Sequence, residues 1–207
     1  MRRGHKMSLD KLQENLRKKG YIVHCFPTKE EAVQYLFETV QGECAGFGGS
    51  MTLEEMGLYE KLSEKMKVYW HWRIPEGKTG ADMLQAAKTA DVYFSSVNGI
   101  AETGEIVNID NTGNRVAATL YGHKKVYLVA GLNKVAPDLQ AAIDRARNVA
   151  APPNAKRLGK KTPCAVRADK CYDCQSPDRI CRALSVLWEK PAGSEYEIVL
   201  IGEALGY

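Results

Sequence analysis

Four cysteines make the sharpest chemical signal in this chain. Cys164, Cys171, Cys174 and Cys181 are spaced C-x6-C-x2-C-x6-C, so four of the six cysteines fall within 18 residues. Thiolates grouped this closely can close around Zn²⁺ or a [4Fe–4S] cluster. The spacing holds one C-x2-C, where a zinc ribbon has two and a ferredoxin runs C-x2-C-x2-C. The expectation is therefore a zinc or [4Fe–4S] site on these four residues. Reduced loop thiols, or a redox pair at Cys171 and Cys174, are the alternative. Cys25 and Cys44, in apolar stretches, read as small core residues.

A second constellation is SSVNGIAETG at 95–104, where a strand end delivers two hydroxyls and the Asn98 amide before Glu102, Thr103 and Gly104. A carboxylate set among small residues there can serve as general base or nucleophile, or bind a ribose hydroxyl. The plainer alternative has Glu102 opening a hairpin and facing solvent. A third is FGGSMTLEEMGL at 47–58. Gly48 and Gly49 let backbone approach a ligand, and the N–H groups after Ser50, near Thr52, can hold an anion. Alternatively the glycines only turn the chain and Ser50 caps a helix. Glu54 and Glu55 suit a helix start by complementing its dipole. The turns at 131–134 (GLNK, with Gly131 and Asn133) and 148–154 complete the set. GGS is not GxGxxG and no Walker A pattern occurs, so no NAD or ATP motif is present. His5, His24, His71 and His123 stand at no ligand spacing, and His24 and His71 read as structural strand residues. The WHW alternation at 70–72 puts both tryptophans on one sheet face, as core.

The elements that must position these groups alternate along the chain. A capped amphipathic helix is expected over 8–19, with Ser8 as N-cap, Leu9, Leu12 and Leu16 on one face and Gly20 as stop. A strand at 21–26 precedes a helix begun by Thr28 with Glu31 in a capping box. A short strand then reaches the glycine pair, a helix runs from Ser50 to about Met66, and strands and helices follow at 68–72, 79–90 and 91–98. Residues 101–110 read as the first arm of a hairpin, 111–114 as its turn and RVAATL as its return. KKVYLVAG at 124–131 is apolar throughout, as for a strand covered on both faces, and 137–149 reads as a helix. This alternation predicts an α/β fold with an open, mostly parallel sheet. Past about residue 152 the texture changes. Two parts are expected: an α/β domain over 1–160, and a cysteine-containing extension over 161–207 whose last strand joins the sheet edge.

The 207 residues are 44% hydrophobic and 26% charged, an ordinary globular composition. The formal charge of +4 is scattered, apart from MRRGHK at the start and NAKRLGKK at 154–161, and no aromatic-rich basic face marks a nucleic-acid binder. An anionic small molecule remains a compatible partner. No apolar run approaches the ~20 residues that span a membrane, and a cytoplasmic, reducing setting is expected.

Taken together, FGGSMTLEEMGL, ADVYFSSVNGIAETGEIV, KKVYLVAGLNKV and ARNVAAPPNAKRL resemble the LUD (lactate utilisation) domain family, in order and spacing, over roughly 8–160. The likeness is to short stand-alone members with a cysteine-bearing C-terminal extension. It implies a sheet of the glucosamine-6-phosphate deaminase, ribose-5-phosphate isomerase and CoA-transferase type, with its site at strand carboxyl ends. It also implies a place in lactate or related organic-acid metabolism, beside iron–sulfur or redox protein partners. By this resemblance the site group is Gly48, Gly49, Ser50, Thr52, Glu54, Asn98, Glu102, Thr103, Gly104, Gly131 and Asn133. Glu102 sits like the strand-end nucleophile of CoA transferases. Three functions are in contention: a lactate-system enzyme binding a small anion, a non-catalytic assembly subunit of a redox complex, and a CoA-ester transferase or sugar-phosphate isomerase. A homo-oligomer is compatible with each.

Overall fold

The computed structural model describes residues 9–207, so Ser8 as a helix cap and the basic start of the chain lie outside the described residues. Among the described residues ten strands follow in chain order: β1 Ile22–Phe26, β2 Cys44–Phe47, β3 Lys67–Trp70, β4 Val92–Ser95, β5 Gly99–Ala101, β6 Ile106–Asp110, β7 Lys125–Gly131, β8 Val135–Ala136, β9 Ala183–Leu187 and β10 Glu195–Ile201. Between them run α1 Leu9–Lys18, α2 Lys29–Thr39, α3 Met51–Glu55, α4 Leu58–Ser63, α5 Gly80–Lys88, α6 Asn114–Leu120, α7 Leu139–Arg145, α8 Ala151–Arg157 and α9 Pro163–Arg167.

Six strands make one sheet in the order β1-β10-β7-β4-β2-β3, parallel at every pairing. Both faces are covered, which explains why β7 is apolar throughout. Along it Val126, Leu128 and Ala130 pack with α1 residues Leu12 and Leu16, while Tyr127 and Val129 pack with α2, α3 and α4 residues on the other side. A second sheet, β8-β5-β6-β9, stands beside the first. The expected α/β fold with a mostly parallel sheet is what the chain adopts. Among the described residues no helix is long and apolar enough to cross a membrane.

Four local expectations are corrected. The hairpin is formed by β5 and β6, with 102–105 as its turn, and RVAATL is helix α6 rather than a return strand. Asp110 decides this: Oδ1 accepts the Asn111 N–H at 2.8 Å, and Oδ2 accepts those of Arg115 and Val116 at 2.9 and 3.1 Å. Donors at the start of a helix are thereby satisfied. The helix after Ser50 divides into α3 and α4 at Gly57, whose φ of 63° is left-handed. Residues 148–154 are helical rather than a turn. A π-helical stretch, Ala146–Ala150, links α7 to α8, whose first turn accommodates Pro152 and Pro153 without needing their missing N–H groups. Finally, β10 is not an edge strand, since it pairs with β1 on one side and β7 on the other. Its run EIVLI is buried at every position, and an apolar strand gains most where both edges and both faces are covered.

Gly46, in β2, is where α5 comes closest to the sheet: a Cβ there would lie 2.3 Å from the Ala87 carbonyl oxygen. Both are backbone elements held by their own hydrogen bonds, so neither yields easily. Gly46→Ala is expected to destabilise the protein by about 3 kcal/mol, lowering the melting temperature by roughly 6–12 °C. Calorimetry on the two proteins checks this.

Candidate functional site

The carboxyl ends of β2, β3, β4 and β7 open into a cleft of about 240 Å³. Residues just past β2 (Gly49, Ser50) form one wall, and His71 and Trp72 after β3 form the next. Ser96, Val97 and Asn98 follow β4, and Lys134 follows β7. The second sheet and the helical run after it close the far side, with Asp110, Arg115, Asn154 and Arg157. Such a position at strand ends is where open parallel sheets bind ligands.

Lys134 is 3% exposed. Its Nζ donates to Thr52 Oγ1 and to Ser96 Oγ, each at 2.8 Å, and these hydroxyls touch each other at 3.2 Å. Thr52 in turn donates to the Leu205 carbonyl at 3.1 Å. Among the described residues the amine has no carboxylate in ion-pair contact. Burial first, then the positive charges of Arg145 and Arg115, bring its pKa down to about 7. At neutral pH a large share of the side chain is therefore a free amine, a nucleophile and base that an exposed lysine is not.

The cationic character continues around the cleft. Arg115 is held by Asn98 Oδ1, Asn108 Oδ1 and the Ile109 carbonyl, with Asp110 Oδ2 at 3.9 Å. Arg145 is half-buried behind Asn98, donating to its carbonyl at 2.6 Å and to that of Asn133 at 2.9 Å. Arg157 lies over the Trp72 ring, 4.7 Å from its centre. His71 has its pKa lowered, chiefly by burial and against the pull of Asp110, and its Nδ1 has no hydrogen-bond partner among the described residues. A neutral imidazole and a half-neutral amine thus share a cleft rimmed by guanidinium groups.

The sequence-selected residues divide between this cleft and other places. Gly49, Ser50 and Asn98 line it, and Thr52 reaches it through Lys134. Gly48 lies one residue back, its N–H bonded to the Phe94 carbonyl at 2.8 Å. Glu54 is paired with Arg73 at 2.9 Å. Asn133 holds the C-terminal segment, accepting the Leu205 N–H at 3.1 Å, with Gly131 just before it at the end of β7. Glu102, Thr103 and Gly104 form the β5–β6 turn outside the cleft lining. Glu102 is buried there, its carbonyl receiving Asn15 Nδ2 of α1 at 2.7 Å. Arg115 and Arg157 carry no sequence signal of a site, His71 reads in sequence as a structural strand residue yet lines the cleft, and Lys134 stands in the 131–134 turn without being singled out. GLNK was marked as a strand-end turn, and a lysine closing such a turn was the available signal.

The expected metal site is overturned. Among the described residues no group of three or more His, Cys, Asp or Glu side chains could hold a metal ion. Zinc and a [4Fe–4S] cluster are therefore both withdrawn for Cys164, Cys171, Cys174 and Cys181. The thiols are engaged separately. Cys164 contacts Thr162 Oγ1 at 3.2 Å, Cys171 receives Arg147 at 3.7 Å and the Asp173 N–H at 3.4 Å, and Cys181 receives Arg179 Nε at 3.2 Å. All six cysteines are free.

A crystal structure of a DUF162 family protein from Deinococcus radiodurans superposes with a TM-score of 0.53 at 10% identity, covering 95% of this chain and 100% of that one. At that identity the likeness speaks for the fold alone. No curated protein matches the chain. The LUD domain, by contrast, is matched over residues 9–201, a span that takes in both sheets and all of the cleft lining except Tyr207. Since that span is nearly the whole chain, the protein belongs to the LUD domain family.

Proposed function

We propose that this protein binds a small anionic metabolite, a carboxylate or phosphate, in the strand-end cleft and acts on it in lactate or related organic-acid metabolism. The observation that supports this most is the charge of the lining: the guanidinium groups of Arg115 and Arg157, with the partly protonated amine of Lys134, against one acidic side chain, Asp110. Low dielectric and converging donors strengthen an anion's hold. Glu102 lies outside these walls, so the reading gives the reactive role to Lys134, with Thr52 and Ser96 as its hydroxyl partners. Gly49 and Ser50 supply the wall nearest the ligand in this reading.

A thermal-shift screen of L-lactate, pyruvate, sugar phosphates, nucleotides and CoA esters tests this reading. At least one class is expected to stabilise the protein, more strongly at low salt. Arg157→Gln, an exposed position, is expected to weaken that ligand by roughly tenfold, the loss of one charge-assisted contact. Stabilisation by none of these classes would sink the proposal and favour a non-catalytic assembly subunit.

A further inference from the structure

The reactive group has chemistry that the anion-binding reading does not use. A neutral amine has two N–H bonds and one lone pair, at tetrahedral angles. Thr52 Oγ1 and Ser96 Oγ take two donated hydrogens, each at 2.8 Å. The direction left over is the lone pair, and Lys134 lines the cleft. An amine meant only to hold an anion would gain from staying charged and exposed. This one is 3% exposed and faces neutral hydroxyls. An amine used only as a base would need no second proton carrier, yet here two linked hydroxyls adjoin the nitrogen.

We propose that Lys134 forms a covalent imine with a small aldehyde or ketone that carries an anionic group, a 2-oxo acid or a phosphorylated carbonyl compound. The proposal rests on the cleft being the anion site. The lone pair of Nζ forms a bond to the carbonyl carbon, and the C=O π pair moves onto oxygen. A proton passes from nitrogen to that oxygen through the Thr52 and Ser96 hydroxyls. The carbinolamine then takes up a proton from solvent and loses its hydroxyl as water, while the nitrogen pair forms the C=N bond of an iminium ion. Cations at the rim, Arg115 and Arg157, orient the carboxylate or phosphate so that the carbonyl carbon meets the amine. The iminium withdraws electrons from the adjacent carbon, which acidifies its C–H bond.

The test is reductive trapping. The protein is incubated at pH 7 with sodium cyanoborohydride and, in separate arms, pyruvate, glyceraldehyde 3-phosphate and acetone, and the modified residue is found by peptide mass spectrometry. Lys134 is expected to be labelled by pyruvate or by the phosphorylated aldehyde about a hundredfold faster than the exposed lysines, which are almost wholly protonated. The arm that labels tells carboxylate from phosphate. Labelling is expected to rise between pH 6 and 8 and to vanish at that site in Lys134→Met. No adduct on Lys134 in either anionic arm overturns the imine. An equal adduct from acetone overturns the requirement for an anionic group. Calorimetric binding of the same compounds separates the two ideas: binding without an adduct leaves the anion site standing and removes the imine, and absence of binding also removes the imine, while the anion site falls only if the wider thermal-shift screen fails too.

Discussion

Replacing Lys134 by methionine makes the protein more stable, and more so in acid than in base. An amine with a pKa of about 7 when folded and about 10.5 when exposed binds fewer protons in the native state between those values. Stability therefore rises with pH across that window as the unfolded chain gives up its extra proton. Below pH 7 the full cost of burying the ammonium is present, on the order of 5 kcal/mol. It fades above pH 7 and is gone by about 10.5. Methionine has nearly the same length and no charge to desolvate, and it leaves Thr52 and Ser96 still bonded to each other. The variant's gain is expected to be larger at pH 6 than at pH 9 by about 3 kcal/mol, roughly 6–12 °C in melting temperature. Thermal unfolding of both proteins at the two pH values decides it. An equal gain at both would mean that the amine is not held neutral. A residue kept at such cost to stability is the expected mark of a functional one.

Asp110→Ala is expected to do the opposite, with a loss of about 3 kcal/mol and a fall of roughly 6–12 °C. Asp110 is 8% exposed and its carboxylate accepts three backbone N–H groups where β6 passes into α6. Removing it uncaps α6 and leaves Arg115, whose side chain is 14% exposed, without its nearby negative charge. The charge should matter separately from the cap. Arg115→Met placed on Asp110→Ala is expected to cost less than Arg115→Met alone, which a double-mutant cycle on denaturant unfolding would measure. Additive losses would assign Asp110 to capping only. The single variant also removes the influence that raises the His71 pKa, so His71 should titrate lower, as followed by its ring resonances.

The local pattern was strong enough for some of this to be legible in sequence. Alternation of strand and helix predicted the α/β sheet, because periods of 2 and 3.6 are set by backbone geometry alone. The Thr28 cap, with the Glu31 N–H on its hydroxyl at 3.3 Å, needs only neighbours three residues apart. Of the stretches singled out at 48–52, 95–104, 131–134 and 148–154, the first three follow β2, β4 and β7, because polar residues after an apolar run tell where a strand stops, while 99–104 run on into β5 and its turn and 148–154 are helical.

Sequence could not say what those turns face. RVAATL looks as much like a strand as a helix, and only the Asp110 carboxylate, folded back on it, selects the helix. EIVLI is a strand on its face, but whether it lies at an edge or between β1 and β7 depends on which strand edges the rest of the chain leaves open. Four cysteines close in sequence make no metal-holding group among the described residues, and guanidinium groups from Arg147 and Arg179 meet the Cys171 and Cys181 thiols. Lys134 shows the division most clearly. Its place after an apolar strand is local. Its lowered pKa comes from burial and from Arg145 and Arg115 on other elements, and the hydroxyls it bonds lie 82 and 38 residues away. Burial and electrostatics sum over everything within a few ångströms, and chain order does not record those distances.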